Sequence, residues 1–404
     1  MPPTAASGIV TPVCSWGWRV SAVDVNAYYP DTAAVYWSMW YQYSDDLSFD
    51  IQGRFPDARY MSFNVYDLYP SSFSSNGVES SLSDYEITPD EGSVNPWQTD
   101  ADPGGTYTLH LKMNPDPGEV NTLPLAPEGT VAGSKGSVIF RVYLATDLAN
   151  VVLPTVTAYH GDTGTVLNTC QTAGEGNAKI TTDSATLTES LLRWRDRRRR
   201  DIDPTTGLAF ARTSELSQKA PNNDNAYLIT WVDPPAADAD DVIMIRAKAP
   251  RAVSGTRPRA WPVFGADVRY WSFCTNLLEP NNPVVANVLE DGSIDYGCRY
   301  DADTAIDRDG YYTYVLGTES QRAAIESIHG ATFLPFSTDQ STASHMVIMR
   351  TLLPTDEFRF ATQRVAMDSS PEAAAAVMGD YYPRVSTCSL TRLTQRGLPA
   401  CFHH

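Results

Sequence analysis

The chain has 404 residues, with 48 acidic against 30 basic side chains and a net charge of −18, so it lacks the basic footprint that nucleic acid demands. Aromatic residues reach 11% and charged ones only 19%, beside 28 Pro and 25 Gly, which is the composition of an ordered β protein. No apolar run has the length of a membrane-spanning helix.

Met1 to Ser7 has neither a basic start nor an apolar segment, so the expectation is a secreted protein whose signal peptide has been removed, against a cytosolic one. Trp16 to Val20 and Ala34 to Trp40 are rich in β formers and predict strands. Ser44-Asp45-Asp46 supplies a turn, and the alternation from Leu47 to Arg54 predicts a half-exposed strand. Pro56-Asp57 ends it, and Ala58 to Tyr66 predicts the next. From about Ser71 to Pro103 the chain is polar and rich in Ser, Asp and Pro, which predicts a functional loop outside the core. Strands at Gly105 and Val138 close a first unit assigned to residues 1–150.

Residues 151–222 predict a connector with one helix at about 186–200. Thr186 and Glu189 suit a capping box, Leu187, Leu191, Leu192 and Trp194 share a face, and the basic end from Arg193 to Arg200 suits the helix dipole. Residues 223–404 form the second unit, with short helices expected at Glu319 to Ile328 and Pro371 to Met378.

The second unit repeats the first. Arg59-Tyr60-Met61-Ser62-Phe63 returns 210 residues later (59 to 269) as Arg269-Tyr270-Trp271-Ser272-Phe273. Gly105-Thr106-Tyr107-Thr108 returns as Gly310-Tyr311-Tyr312-Thr313, and Val138-Ile139-Phe140-Arg141 as Val347-Ile348-Met349-Arg350. Phe49 to Pro56 matches Ile243 to Pro250, and Asn26-Ala27-Tyr28 is matched to Asn225-Ala226-Tyr227. Ordered matches at nearly one offset predict a duplicated domain. Short strands with turns roughly every ten residues predict a sandwich or jelly roll in each copy. The expected fold class is therefore all-β: two tandem β-sandwich/jelly-roll domains with a helical connector and minor helices.

Six cysteines show no C-x-x-C spacing, which argues against zinc and redox motifs. Local pairing joins Cys274 to Cys298 and Cys388 to Cys401, leaving Cys14 for Cys170; such a framework points outside the cytoplasm.

Along the repeated strand, one face carries Tyr60, Ser62, Asn64 and Tyr66, and its counterpart carries Tyr270, Ser272, Cys274 and Asn276. Rings alternating with small hydrogen-bonding groups suit a sugar-binding face, since rings stack on pyranoses while amides and hydroxyls take their hydroxyls. The competing expectation is that these tyrosines pack between the units. Asp67 and Asp295 follow the two strands and are the candidate acid and base for cleaving a glycan or glycoconjugate. Tyr60 with Arg269 could instead line a small-molecule enzyme pocket. Asp301, Asp303, Asp307 and Asp309 could hold Ca²⁺, though their spacing departs from the EF-hand and suits a turn better. No other cofactor is expected, because His110, His160, His329 and His345 are scattered and no phosphate-cradling glycine loop or G-x-S-x-G occurs.

Arg59 to Phe63 with Tyr66-Asp67, Arg269 to Phe273, Gly310 to Thr313 and the strand from Arg350 to Pro354 resemble strands of uncharacterised bacterial secreted proteins with tandem jelly rolls. Such proteins are distantly similar in fold to peptide N-glycosidase F, whose catalytic acids match no positions here. The resemblance implies the fold and leaves the activity open. Three functions follow: carbohydrate or glycoconjugate binding in the cleft between units, with hydrolysis as its extension; a non-enzymatic surface or assembly protein; and an enzyme with a Tyr/Arg pocket.

Overall fold

Ala34–Gln42, Ala58–Tyr66 and Lys135–Ala145 are the long β-branched and aromatic runs of the first half, and they lie side by side in one sheet. The computed structural model describes residues 12, 14–67, 71–170, 208–214, 220–236, 239–278 and 282–402. The expected helix at 186–200 and its arginine run lie outside them. Among the described residues no helix is long and apolar enough to cross a membrane.

That first sheet runs Trp18–Val20, Ala34–Gln42, Lys135–Ala145, Ala58–Tyr66, Ser81–Ser83 in spatial order. A second runs Thr163–Leu167, Thr155–His160, Leu47–Arg54, Thr106–Lys112, Thr122–Pro124. The two sheets enclose one core, in which Phe140 stacks on Phe63 at 4.9 Å and on Trp37 at 5.6 Å.

The second half has the same plan without the two outermost strands. One sheet is Asn225–Val232, His345–Pro354, Val268–Leu277, Cys298–Tyr300; the other is Arg384–Ser389, Asp241–Lys248, Tyr311–Gly317, Ala331–Pro335. Each half pairs its strands antiparallel except at one place. Thr106–Lys112 runs parallel to Thr122–Pro124, and Tyr311–Gly317 runs parallel to Ala331–Pro335. The architecture is all-β and sandwich-like, with few helices.

Register carries the correspondence into single residues. Arg141 lies opposite Ser62 and Tyr36, while Arg350 lies opposite Ser272 and Tyr227. The partner of Asn225-Ala226-Tyr227 is therefore Ala34-Val35-Tyr36, which corrects the match to Asn26-Ala27-Tyr28. Tyr28 sits ahead of the strand with φ +61°. A three-residue identity weighs less than the ladder that fixes a strand's register.

Two other expectations are corrected. The polar stretch after Ser71 is not excluded from the core: Ile87 and Trp97 are fully buried. The Asn95 side chain donates to the carbonyls of Asp84 and Ile87 at 2.7 Å each, and it accepts from the Trp97 backbone N–H. With its polar backbone thus satisfied, the segment folds inward and the Trp97 indole donates to the Arg59 carbonyl. Residues 155–167 belong to the first sandwich rather than to a connector, because Val156 and Ala158 pair with Ile51 and Phe49 and bury their side chains in its core.

Three disulfides join Cys14 to Cys170, Cys274 to Cys298 and Cys388 to Cys401. The first ties the two ends of the first sandwich, and a bridge of this kind contributes about 2–4 kcal/mol. Three disulfides are compatible with an extracytoplasmic protein.

Candidate functional site: the seam between the halves

All nine residues of Ala58–Tyr66 and all ten of Val268–Leu277 are buried. A strand covered on both faces needs two layers above and below it. Met61, Phe63, Trp271 and Phe273 face their own sandwich cores. Tyr60 and Tyr270 face the other half and meet in one apolar cluster with Ala34, Tyr143 and Leu352. Tyr143 stands edge-on to Tyr60 at 5.5 Å and to Tyr270 at 5.4 Å. Both phenols are fully buried, and burial raises their pKa values well above the usual tyrosine range.

Contacts across this seam come in reciprocal pairs. Arg59 of the first half bonds Asp301 of the second through both carboxylate oxygens, at 2.8 and 2.7 Å, and Arg269 of the second bonds Asp84 of the first. Each aspartate also accepts a backbone N–H of its own half, Asp84 from Met61 and Asp301 from Trp271. Opposite each arginine, the neighbouring strand carries a leucine with positive φ, Leu144 (+49°) or Leu353 (+43°). These turned leucines donate instead to Ala33 O and Asp224 O, at 2.8 and 2.9 Å. Leucine adopts this region rarely, so its recurrence at matching places marks a shared backbone device.

The second layer repeats the exchange. Tyr270 OH donates to Asp31 at 2.8 Å, and Tyr60 OH lies 3.1 Å from the Asn222 side-chain oxygen and 2.6 Å from Asp224. Arg350 donates to Tyr29 O at 2.6 Å, and Arg141 donates to Ala220 O at 2.5 Å. Burial lifts Asp84 to about 6, against the pull of Arg269.

The other expected site residues are distributed as follows. Asn64 accepts from Arg141, and Tyr66 OH donates to Pro221 O at 2.6 Å. Asn276 is fully buried, and its amide has no hydrogen-bond partner among the described residues. Asp295 is held by Arg299 at 2.8 Å and Arg322 at 2.5 Å. Asp67 accepts from the Ser71 N–H and lines a cavity of about 220 Å³ with Tyr66, Tyr43 and Lys135. Asp67 and Asp295 thus lie in different halves and share no bonding partner in these contacts.

Asp301 is committed to Arg59, while Asp307 pairs with Arg246 at 2.7 Å and accepts from the N–H groups of Asp309 and Tyr311. That is a turn into the following strand. Among the described residues, one group of potential metal ligands converges: Asp31 with Cys274 and Cys298. Both sulfurs are taken by the disulfide.

A larger cavity, about 330 Å³, lies at the margin of the seam. Ser71 and Ser72 line it from the first half; Arg212, Asn222, Asn225 and Tyr227 line it from the second. Asn222 is 2% exposed and Asn225 7%, yet Asn222 Nδ2 and Asn225 Oδ1 have no partner among the described residues. No carboxylate or histidine is among the described residues lining it. The signal available in the sequence was the amide-rich run Asn222-Asn223-Asp224-Asn225 just before Tyr227, of which only Asn225 enters the repeat match.

Fold and seam together define an all-β protein of two sandwiches joined through a buried reciprocal interface. No family model matches the chain, and no curated protein matches it. Among solved structures it is similar to an uncharacterized protein from Burkholderia cenocepacia, at 11% identity and TM-score 0.52, covering 95% of this chain and 85% of that one. A protein from Vibrio parahaemolyticus aligns at 12% identity and TM-score 0.39, covering 88% of this chain and 89% of that one. The Burkholderia likeness shows the fold alone.

Proposed function

We propose that this is a secreted two-sandwich protein, arisen by internal duplication, that binds a carbohydrate at the margin of the seam between its halves. The observation that carries the proposal is the 330 Å³ cavity, which Ser71, Ser72, Asn222, Asn223 and Asn225 line together with Tyr227. Amides and hydroxyls suit the hydroxyl groups of a sugar, and an aromatic ring suits the apolar face of a pyranose. Its volume falls at the small end of the roughly 300–1,000 Å³ typical of ligand sites. Binding is favoured over cleavage, because acid–base hydrolysis needs two converging carboxyl groups and the described lining has none.

The Tyr60 and Tyr270 faces support a different role, as the packed joint between the halves, since both rings are fully buried. That part follows the assembly-protein alternative. A glycan array probed with wild type and Tyr227→Ala tests the proposal. Wild type should retain at least one glycan, and the variant should bind it at least about tenfold more weakly, as expected for a lost stacking ring and its contacts. Equal binding by the two would overturn the assignment of the cavity.

A further inference from the structure

We infer that an open sheet face on the second sandwich binds an acidic polysaccharide, with Lys248 and Arg384 as the groups that take its carboxylates. This face is separate from the seam cavity and does not depend on it. Along Asp241–Lys248, the side chains of Ile243, Ile245 and Ala247 enter the core, so those of Val242, Met244, Arg246 and Lys248 point outward. Val242 and Met244 are roofed by Ile325, Leu393 and Leu398. Arg246 and Lys248 are half-exposed. The ladder places exposed Arg384 opposite Arg246 on one side, and Thr313 and Tyr311 opposite Arg246 and Lys248 on the other.

Three cations therefore share one face, interleaved with rings. The Arg246 guanidinium lies 4.7 Å from the centre of the Tyr311 ring and 5.9 Å from that of Phe402, and Lys248 Nζ lies 5.6 Å from that of Tyr381. Tyr381 in turn stacks on Phe360 at 5.4 Å, and Phe360 is 45% exposed. Asp307 neutralises Arg246, and Asp267 neutralises Arg251 just beyond the strand. Among the described residues no hydrogen bond or ion pair occupies the side chain of Lys248 or Arg384. The exposed carboxylate of Asp380 acts on Tyr381 from the side.

The fold itself does not call for this arrangement. In the first half the same ladder positions hold Gln52 and Arg54, faced by Thr155, Thr108 and Thr106. Like charges directly opposite each other destabilise a strand pair, a cost that Arg384 opposite Arg246 incurs and Thr155 opposite Gln52 avoids. A bound anion offsets that repulsion. An acidic sugar polymer fits the rest of the face: its carboxylates meet the cations and its ring faces meet the exposed aromatic surface. The net charge of −18 disfavours nucleic acid, yet at about 0.15 M salt that field is screened beyond roughly 8 Å, so direct contacts to a carboxylate survive it.

Calorimetric titration of the full chain with polygalacturonate, dextran, poly-L-glutamate and single-stranded DNA at about 0.15 M salt tests this. Polygalacturonate should bind at least about tenfold tighter than each of the other three. Lys248→Ala and Arg384→Thr should each weaken it about threefold, the scale of one exposed charge contact, and the double variant about tenfold. Arg384→Thr should leave the melting temperature unchanged or raised, because it removes the like-charge pair. Tyr227→Ala should leave polygalacturonate binding intact. No binding of polygalacturonate, equal binding of any of the other three polymers, or full binding by the double variant would overturn the inference. So would a lower melting temperature for Arg384→Thr, which would give that arginine a role in the fold, or loss of binding in Tyr227→Ala, which would move the polymer to the seam. Failure on this face leaves the seam cavity to its own test.

Discussion

Asp31 and Asn222 occupy the same place in the two halves, three residues ahead of the first shared strand, and they do opposite things. Each carbonyl accepts the N–H that opens that strand, from Ala34 or Asn225, and each side chain takes a tyrosine from the other half. Asp31 also accepts from Ser272 and Ala33 and stands 4.0 Å from Arg350, so every oxygen is occupied and the wall is closed. Asn222 spends its oxygen on Tyr60 and the Asp224 N–H, leaving its NH₂ unpaired beside the cavity. A neighbouring pair differs in the same sense. Asn64 receives Arg141 in the first half, while the matching Cys274 is locked to Cys298, and Arg350 turns to Tyr29 O and Asp31. The lesson is that this interface is nearly symmetric, and the candidate site sits where the symmetry fails.

The largest effect expected from breaking the comparison is at its buried ion pairs. Asp84→Ala leaves Arg269 charged and uncompensated, and should cost about 3–5 kcal/mol in denaturant unfolding. Asp301→Ala should cost less, because that carboxylate keeps 8% of its surface exposed where Asp84 has none. Equal losses would show that the two pairs are equivalent after all.

Asn222→Asp makes the second half imitate the first. It sets a second carboxylate against the single Tyr60 hydroxyl that Asp224 already binds, and should destabilise by about 1–3 kcal/mol at pH 7. A neutral or stabilising result would mean that the missing charge, not the spare amide, distinguishes the halves.

A smaller effect follows from pH. Asp84 rises from its ordinary 3.8 to about 6, so the folded protein holds this proton more tightly than the unfolded chain does. Its contribution therefore favours folding below that window and is lost as pH rises from about 4 to about 6. Asp84→Asn cannot titrate. The stability of wild type relative to Asp84→Asn should grow as pH falls from 7 to 5, and a flat difference in melting temperature would refute the assignment.

The smallest expected change is at Asp67, whose carboxylate accepts the N–H of nearby Ser71. Asp67→Ala should shift stability by less than about 1 kcal/mol and leave glycan retention unchanged. Loss of binding there would move the site to the 220 Å³ cavity of the first half.

Local pattern alone located much of this molecule. Leu47 to Arg54, Ala58 to Tyr66 and Pro371 to Met378 are bounded in the structure as their alternation, prolines and glycine stop require. The three cysteine pairs are those that spacing and elimination favour. These features are short-range, or limited to few combinations, so composition and order suffice to specify them.

What covers the second face of Ala58–Tyr66 was beyond that pattern. Tyr60, Asn64 and Tyr66 would alternate identically over a sugar or over another sandwich; only the arrival of the second half, with Asn222, Asp224 and Pro221 about 160 residues along the chain, made the face dry. The cavity depends on the same arrival, since Ser71 and Ser72 meet Arg212, Asn222 and Tyr227 only across the seam. A residue's own neighbours determine whether it can form a strand, while distant chain determines whether that strand meets water, a partner sheet or a ligand.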